Sequence, residues 1–191
     1  MSAKDQIIVL PNPQLRTRSA RVKVLTPEVK ALIDDMKAAT VDWEESREHE
    51  VGVALAGIQI AKPYRVIIIR NDFDNKDDKT FSVFINPEIT KLGGKLEEDF
   101  EGCLSVRDVY GKVPRYTKVR LRALDEQGRE VRIKAEGFLA RVFQHEVDHT
   151  KGIMFVDHIK SKPDAFYKLT DEGKLESLDY KDVKKADILR D

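Results

Sequence analysis

The chain has 191 residues and carries 34 Lys plus Arg against 34 Asp plus Glu, so its formal net charge is zero with His neutral. That length is near one ordinary domain and can bury a sizeable core, and a zero balance argues against a general nucleic-acid or polybasic membrane binder. A single cysteine, Cys103, can form no internal disulfide, which excludes a disulfide-stapled scaffold and points to a reducing compartment. No run approaches the ~18 apolar residues of a membrane span, and the first residues lack the apolar stretch of a signal peptide. The expected location is the cytoplasm, with neither DNA nor membrane as partner.

Residues 7–22 contain Pro11 and Pro13 and read as an extended arm, because proline removes a donor and biases its predecessor away from helix. Thr26-Pro27-Glu28 is a helix start, with Thr as N-cap and Pro at the first helical position. Val29, Leu32, Ile33 and Met36 follow at helical spacing and carry that helix to about residue 40. The acidic segment 42–50 reads as a helix end or an exposed loop. From 51 to 121 the pattern is that of strands. Arg65–Ile69 is β-branched, 71–79 is a charged loop, Phe81–Pro87 is a strand, and Gly93-Gly94 marks a turn. Tyr116–Leu124 and Glu130–Ala135 flank the turn Asp125–Gly128 and predict a hairpin. From Gly137 to Lys151 the period becomes helical, with Gly152 as a C-terminal stop. The tail from Lys160 has eight basic and eight acidic residues and reads as a solvated helix or partly disordered segment. The expectation is one α+β domain over 1–191, with its core at about 7–160 and a polar C-terminal extension over 161–191.

The stretch that carries chemistry is Gln144-His145-Glu146-Val147-Asp148-His149. Two histidines four apart share one helix face, so both imidazoles can hold one metal ion. Glu146 sits at the edge of that face, where a carboxylate can act as general base and return the proton. A catalytic site needs a third protein ligand and an open position. Candidates are Cys103, in Glu101-Gly102-Cys103-Leu104-Ser105, and a downstream acid such as Glu172 or Glu176. A third histidine after Gly152 is excluded because Phe155 occupies that position. His49 reads as solvated and His158 as a surface or strand-edge residue.

Three segments together resemble the peptide deformylases. Gly52-Val53-Ala54-Leu55-Ala56-Gly57-Ile58-Gln59 resembles the family's GxGxAAxQ motif, Glu101–Ser105 matches EGCLS, and Gln144–His149 with Gly152 matches QHExDHxxG. The segments stand in the family's order, and the resemblance covers about residues 7–160. It implies antiparallel sheets packed around a central HExxH helix, with an N-terminal helix and a polar tail. It also implies removal of the formyl group from the N-terminal formyl-methionine of nascent chains. Carried over, Cys103, His145 and His149 would hold one divalent metal ion, Fe²⁺ in the cell with Zn²⁺ or Ni²⁺ as substitutes. Glu146 would be the acid/base, and Gln59 with the Leu104 backbone N–H would stabilise the oxyanion.

Gly52, Val53, Ala54 and Gly102 would border an extended peptide, and Phe138 and Val142 are candidate walls for the methionine side chain. Expected partners are N-formyl-methionyl nascent peptides and the ribosome near its exit tunnel. Three positions depart from the family pattern. Ala54 stands where the second Gly is usual, Gly57 where Ala is usual, and Arg107 where Pro is common. An alanine at 54 is strained if that position needs a positive φ.

Overall fold

The computed structural model describes residues 2–190. Two short 3-10 turns, Ala3–Gln6 and Pro13–Arg16, precede helix α1 (Pro27–Glu45). Strand β1 (Ala54–Ala56), a 3-10 turn at Gly57–Ile60 and β2 (Val66–Arg70) follow. Next come β3 (Phe81–Cys103), β4 (Val106–Leu124), β5 (Glu130–Glu136) and helix α2 (Gly137–His149). The chain closes with 3-10 turns at Phe155–His158 and Pro163–Ala165, strands β6 (Phe166–Leu169) and β7 (Leu175–Ser177), and α3 (Tyr180–Lys185). The seven strands form one sheet in the order β1-β2-β3-β4-β6-β7, with β5 also paired to β4. The named strand pairs are all antiparallel. Among the described residues no helix is long and apolar enough to cross a membrane.

The β-branched run in β2 explains how two helices share one sheet. Val66 and Ile68 pack in a cluster with Leu32, Ile33 and Met36 of α1. Ile67 and Ile69, on the other face, pack with Val142, Phe143 and Val147 of α2. A strand buried on both faces reads as a continuous apolar run. Each such side chain contributes about 1.5–3 kcal/mol of burial. Helix α2 is thereby pressed against the sheet. Gln144 ties it there: its amide donates to the Tyr116 carbonyl at 2.8 Å and accepts from the Tyr116 N–H at 3.1 Å.

The structure corrects three sequence readings. Helix α1 runs to Glu45, beyond residue 40, because Glu44 is buried against Arg70 at 2.5 Å. Gly93-Gly94 does not reverse the chain: both lie inside the 23-residue β3, where the register against β4 shifts between Gly93 and Leu96. Gly94, at φ +74, takes up that bulge. The tail, described to Arg190, is not one solvated helix: only the short α3 is helical, and the rest packs onto the fold. Its Phe166, Val183 and Ile188 are buried in a cluster with Leu15, Met154 and Phe155, and β6 extends the sheet along β4. The extended arm also contains a 3-10 turn, at Pro13–Arg16, capped by the Asn12 side chain.

Candidate active site

Three elements meet at the site: the C-terminal half of α2, the β3–β4 turn, and the 3-10 turn after β1. Cys103 ends β3, and Leu104-Ser105 is the two-residue connection to β4. Ligand atoms of Cys103, His145 and His149 all lie within 4.8 Å of one another. Cys103 Sγ is 3.4 Å from His149 Nε2. The two imidazole centroids are 4.8 Å apart at 77°.

Glu101 orients this set. His145 Nδ1 lies 2.9 Å from Glu101 Oε2, which leaves Nε2 of that ring facing the cluster. Glu101 also accepts from Arg115 Nε at 2.9 Å, Arg115 Nη2 at 3.0 Å and Arg141 Nη1 at 2.9 Å. Burial alone would raise the Glu101 carboxyl, but the hydrogen bonds from His145 and Arg115 hold it well below the ordinary carboxylate range. Arg115 reaches on to Asp148 at 2.6 Å, and Asp148 also meets His158 Nε2 at 2.8 Å. His158 therefore belongs to this supporting network and not to the ligand set.

Glu146 has the opposite surroundings. It is buried, and its Oε2 has no hydrogen-bond partner. Burial pushes its carboxyl up to about 7, against the pull of His145. His149 Nδ1 is likewise buried without a partner, and burial holds that imidazole below its ordinary range.

Gln59 is fixed by its backbone neighbour. The Ala56 N–H is a donor only and meets Gln59 Oε1 at 2.8 Å, so the amide nitrogen must face the other way. Gln59 Nε2 lies 3.1 Å from Ser105 Oγ and 3.5 Å from Cys103 Sγ. It is a preset donor beside the thiol.

A cavity of about 280 Å³ opens over this centre and is lined by Val53, Ala54, Gln59, Gly102, Cys103, Leu104, Phe138, Val142, His145 and Glu146. His49, Glu50, Phe100 and Tyr110 also line it. Gly52 is not in the lining. Its N–H donates to Glu44 Oε2 at 2.8 Å, its carbonyl accepts from Arg70 Nε at 3.1 Å, and a Cβ there would come within 2.6 Å of Thr40 Cγ2. Gly52 thus serves close packing against α1. Ala54 sits in β1 opposite Ile69 and is not among the positive-φ residues, so its methyl group carries no backbone strain. Gly57 is needed where it stands, since a Cβ would meet the Lys62 and Tyr64 carbonyl oxygens at 3.0 and 3.2 Å. Arg107 lies outside this lining, beside a second cavity.

The alternative third ligands stand elsewhere. Glu172 pairs with Lys174 at 3.0 Å and Glu176 lies 3.8 Å from Lys168, both exposed on the C-terminal hairpin. The model of the family described as polypeptide deformylase matches residues 4–164.

The chain belongs to the polypeptide deformylase family.

The peptide deformylase of Nitrobacter hamburgensis is 41% identical over 167 residues, which cover 85% of this chain and 91% of that one. The peptide deformylase of Psychrobacter cryohalolentis is 42% identical over 154 residues, 80% of this chain and 78% of that one. The crystal structure of a Legionella pneumophila peptide deformylase is similar at a TM-score of 0.70 and 38% identity, covering 80% of this chain and 83% of that one. A Synechococcus elongatus peptide deformylase in complex with actinonin is similar at a TM-score of 0.70 and 34% identity, covering 80% and 76%.

The donor set suits the family's metal dependence. A thiolate with two imidazoles is a fitting set for Zn²⁺ or Fe²⁺, and the unpartnered Glu146 carboxylate flanks it. The sequence reading missed how Glu101 is held. Arg141 carries a signal, because it stands one helical turn before His145 on the same face. Arg115 carries none, because it is β4 pairing that sets it opposite Glu97, from where its side chain reaches Glu101.

Proposed function

We propose that this chain is a metal-dependent hydrolase, one catalytic domain over 1–191. Its reaction is removal of the formyl group from the N-terminal formyl-methionine of newly synthesised polypeptides. The observation that carries this reading is the convergence of Cys103, His145 and His149 beside a buried, unpartnered Glu146 and a preset Gln59 amide. Cys103 Sγ and the Nε2 atoms of both histidines would hold the ion. When bound, a divalent ion supplies Lewis-acid polarisation and lowers the pKa of water.

The protein groups divide the remaining work. Glu146 takes the proton of the attacking water and returns it to the leaving amine nitrogen as the C–N bond breaks, giving formate and a free N-terminus. Burial raises that carboxyl in the metal-free protein, the direction that favours a group able to carry a proton as well as release it. Gln59 Nε2 and the Leu104 N–H donate to the oxygen on which charge develops. Val53, Ala54 and Gly102 offer backbone to an extended peptide. Phe138 and Val142 wall the methionine side chain, with Phe73 packed edge-on against Phe138 at 5.1 Å.

Fe²⁺ is the ion we assign in the cell, with Zn²⁺ or Ni²⁺ as substitutes. The setting we assign is the cytoplasm, near the ribosomal exit tunnel. The test is formate release from formyl-Met-Ala-Ser by anaerobically purified protein. Activity should follow loading with Fe²⁺ or Ni²⁺, vanish on chelation, and vanish in Glu146→Ala while the metal stays bound. Metal binding without formate release would overturn the reading.

A further inference from the structure

We infer that the C-terminal hairpin β6–β7 braces residues that line the peptide channel from behind and thereby sets how much the third and later substrate residues add to binding. This rests on the deformylase reading above. The hairpin lies just past residue 164, where the family match ends.

Four contacts carry the inference. Tyr167 packs edge-on against Phe100, with ring centroids 4.9 Å apart at 84°, and Lys112 Nζ lies 5.2 and 5.4 Å from the two rings. The hairpin turn reaches a second lining residue: a Cβ built on Gly173, at φ +75, would come within 3.0 Å of the His49 ring. Tyr167 pairs in register with Tyr110. Tyr110 packs against Gly102, where an added Cβ would stand 2.5 Å from its ring, and its hydroxyl donates to Glu50 at 2.5 Å. Phe100, His49 and Tyr110 all line the catalytic cavity. Buried Phe166 anchors the hairpin beneath them, in a cluster with Leu15 and Phe155.

The hairpin therefore braces the cavity lining at Phe100, Tyr110 and His49, while no hydrogen bond or ion pair among the described residues joins it to Cys103, His145, His149 or Glu146. An extended peptide advances about 3.3 Å per residue, so a third residue lies about 7 Å from the first. That residue is the one we seat against Phe100, which Tyr167 braces. Tyr167 acts as a positioning residue for Phe100, and its effect belongs in the KM of longer peptides.

The experiment compares formyl-Met-Ala with formyl-Met-Ala-Ser and a formylated pentapeptide on the metal-loaded enzyme. Tyr167→Ala should raise the KM of the longer peptides relative to the dipeptide by about three- to tenfold, the worth of one aromatic pair, without lowering kcat. Tyr167→Phe should restore the wild-type ratio. Gly173→Val, which strains the turn and drives its side chain into His49, should shift the ratio in the same direction. An unchanged ratio in both Tyr167→Ala and Gly173→Val would overturn the inference, as would an equal rise at all lengths. Either result is distinct from failure of the deformylase reading, in which the wild-type enzyme releases no formate from any of the peptides.

Discussion

Two buried glutamates stand beside the same histidine pair. Glu101 accepts from two arginines and His145, and its carboxyl is held in the ionised form. Glu146 has one oxygen without a partner, and burial pushes its carboxyl up to about 7. Identical chemistry thus yields a fixed anion on one side and a movable proton on the other. The difference comes from the donors around each group. A carboxylate saturated with hydrogen bonds orients a ligand, whereas one kept unpaired is available to a reacting molecule.

The largest expected effect tests the movable side. Glu146→Gln keeps the size of the side chain and removes its basicity. Formate release should fall by about 10²–10⁴-fold, while metal content measured by elemental analysis stays near one ion per chain. Loss of metal together with activity would show that Glu146 also supports the ligand set, and the contrast with Glu101 would dissolve.

The next test strikes the fixed side. Arg141→Met removes one clamp and leaves Glu101 buried with fewer donors. Breaking a buried ion network costs about 3–5 kcal/mol, read as a lower denaturant midpoint. Metal affinity should also fall, by up to about 10-fold, because the Glu101 partner of His145 is then held by Arg115 alone. Arg70→Met is the control. It breaks the buried pair with Glu44, remote from the ligand set, so stability should fall while metal affinity is kept. Equal loss of metal in both variants would make the Glu101 clamp merely structural.

Much of this site was legible in the sequence, because its signals are local. The two histidines and Glu146 share one helix, and Cys103 and Gln59 sit in short motifs of distinctive composition. What escaped depends on residues far apart. Glu101 is held by Arg115 only because β4 folds back on β3 and sets Arg115 opposite Glu97, and Glu44 ends up buried only because Arg70 arrives from 26 residues away. The balanced charge of the tail hid Phe166, Val183 and Ile188, whose spacing fits no single helix face. Gly93-Gly94 read as a reversal because turn composition and bulge composition are alike; only the partner strand distinguishes them. Gly52 was assigned to the peptide path, whereas its missing side chain makes room for Thr40 of α1.

The smallest expected effect sharpens the comparison through pH. Burial raises the Glu146 carboxyl from an ordinary 4.5 to about 7 in the fold. In the metal-free protein the native state therefore binds this proton more tightly than the unfolded state. The resulting stability is fully present below 4.5 and is lost as pH rises through about 7. Glu101 and Asp148 have depressed values and behave oppositely, losing their contribution as pH falls below the ordinary carboxylate range. The interval from about pH 5 to 8 separates the two kinds of carboxylate. Groups common to both proteins largely cancel in a difference, so the quantity to measure is the stability difference between wild type and Glu146→Gln, both metal-free, by urea unfolding. Across that interval it should decline by at most about 3 kcal/mol. A flat difference would mean that Glu146 is ionised throughout, and that both glutamates are fixed anions after all.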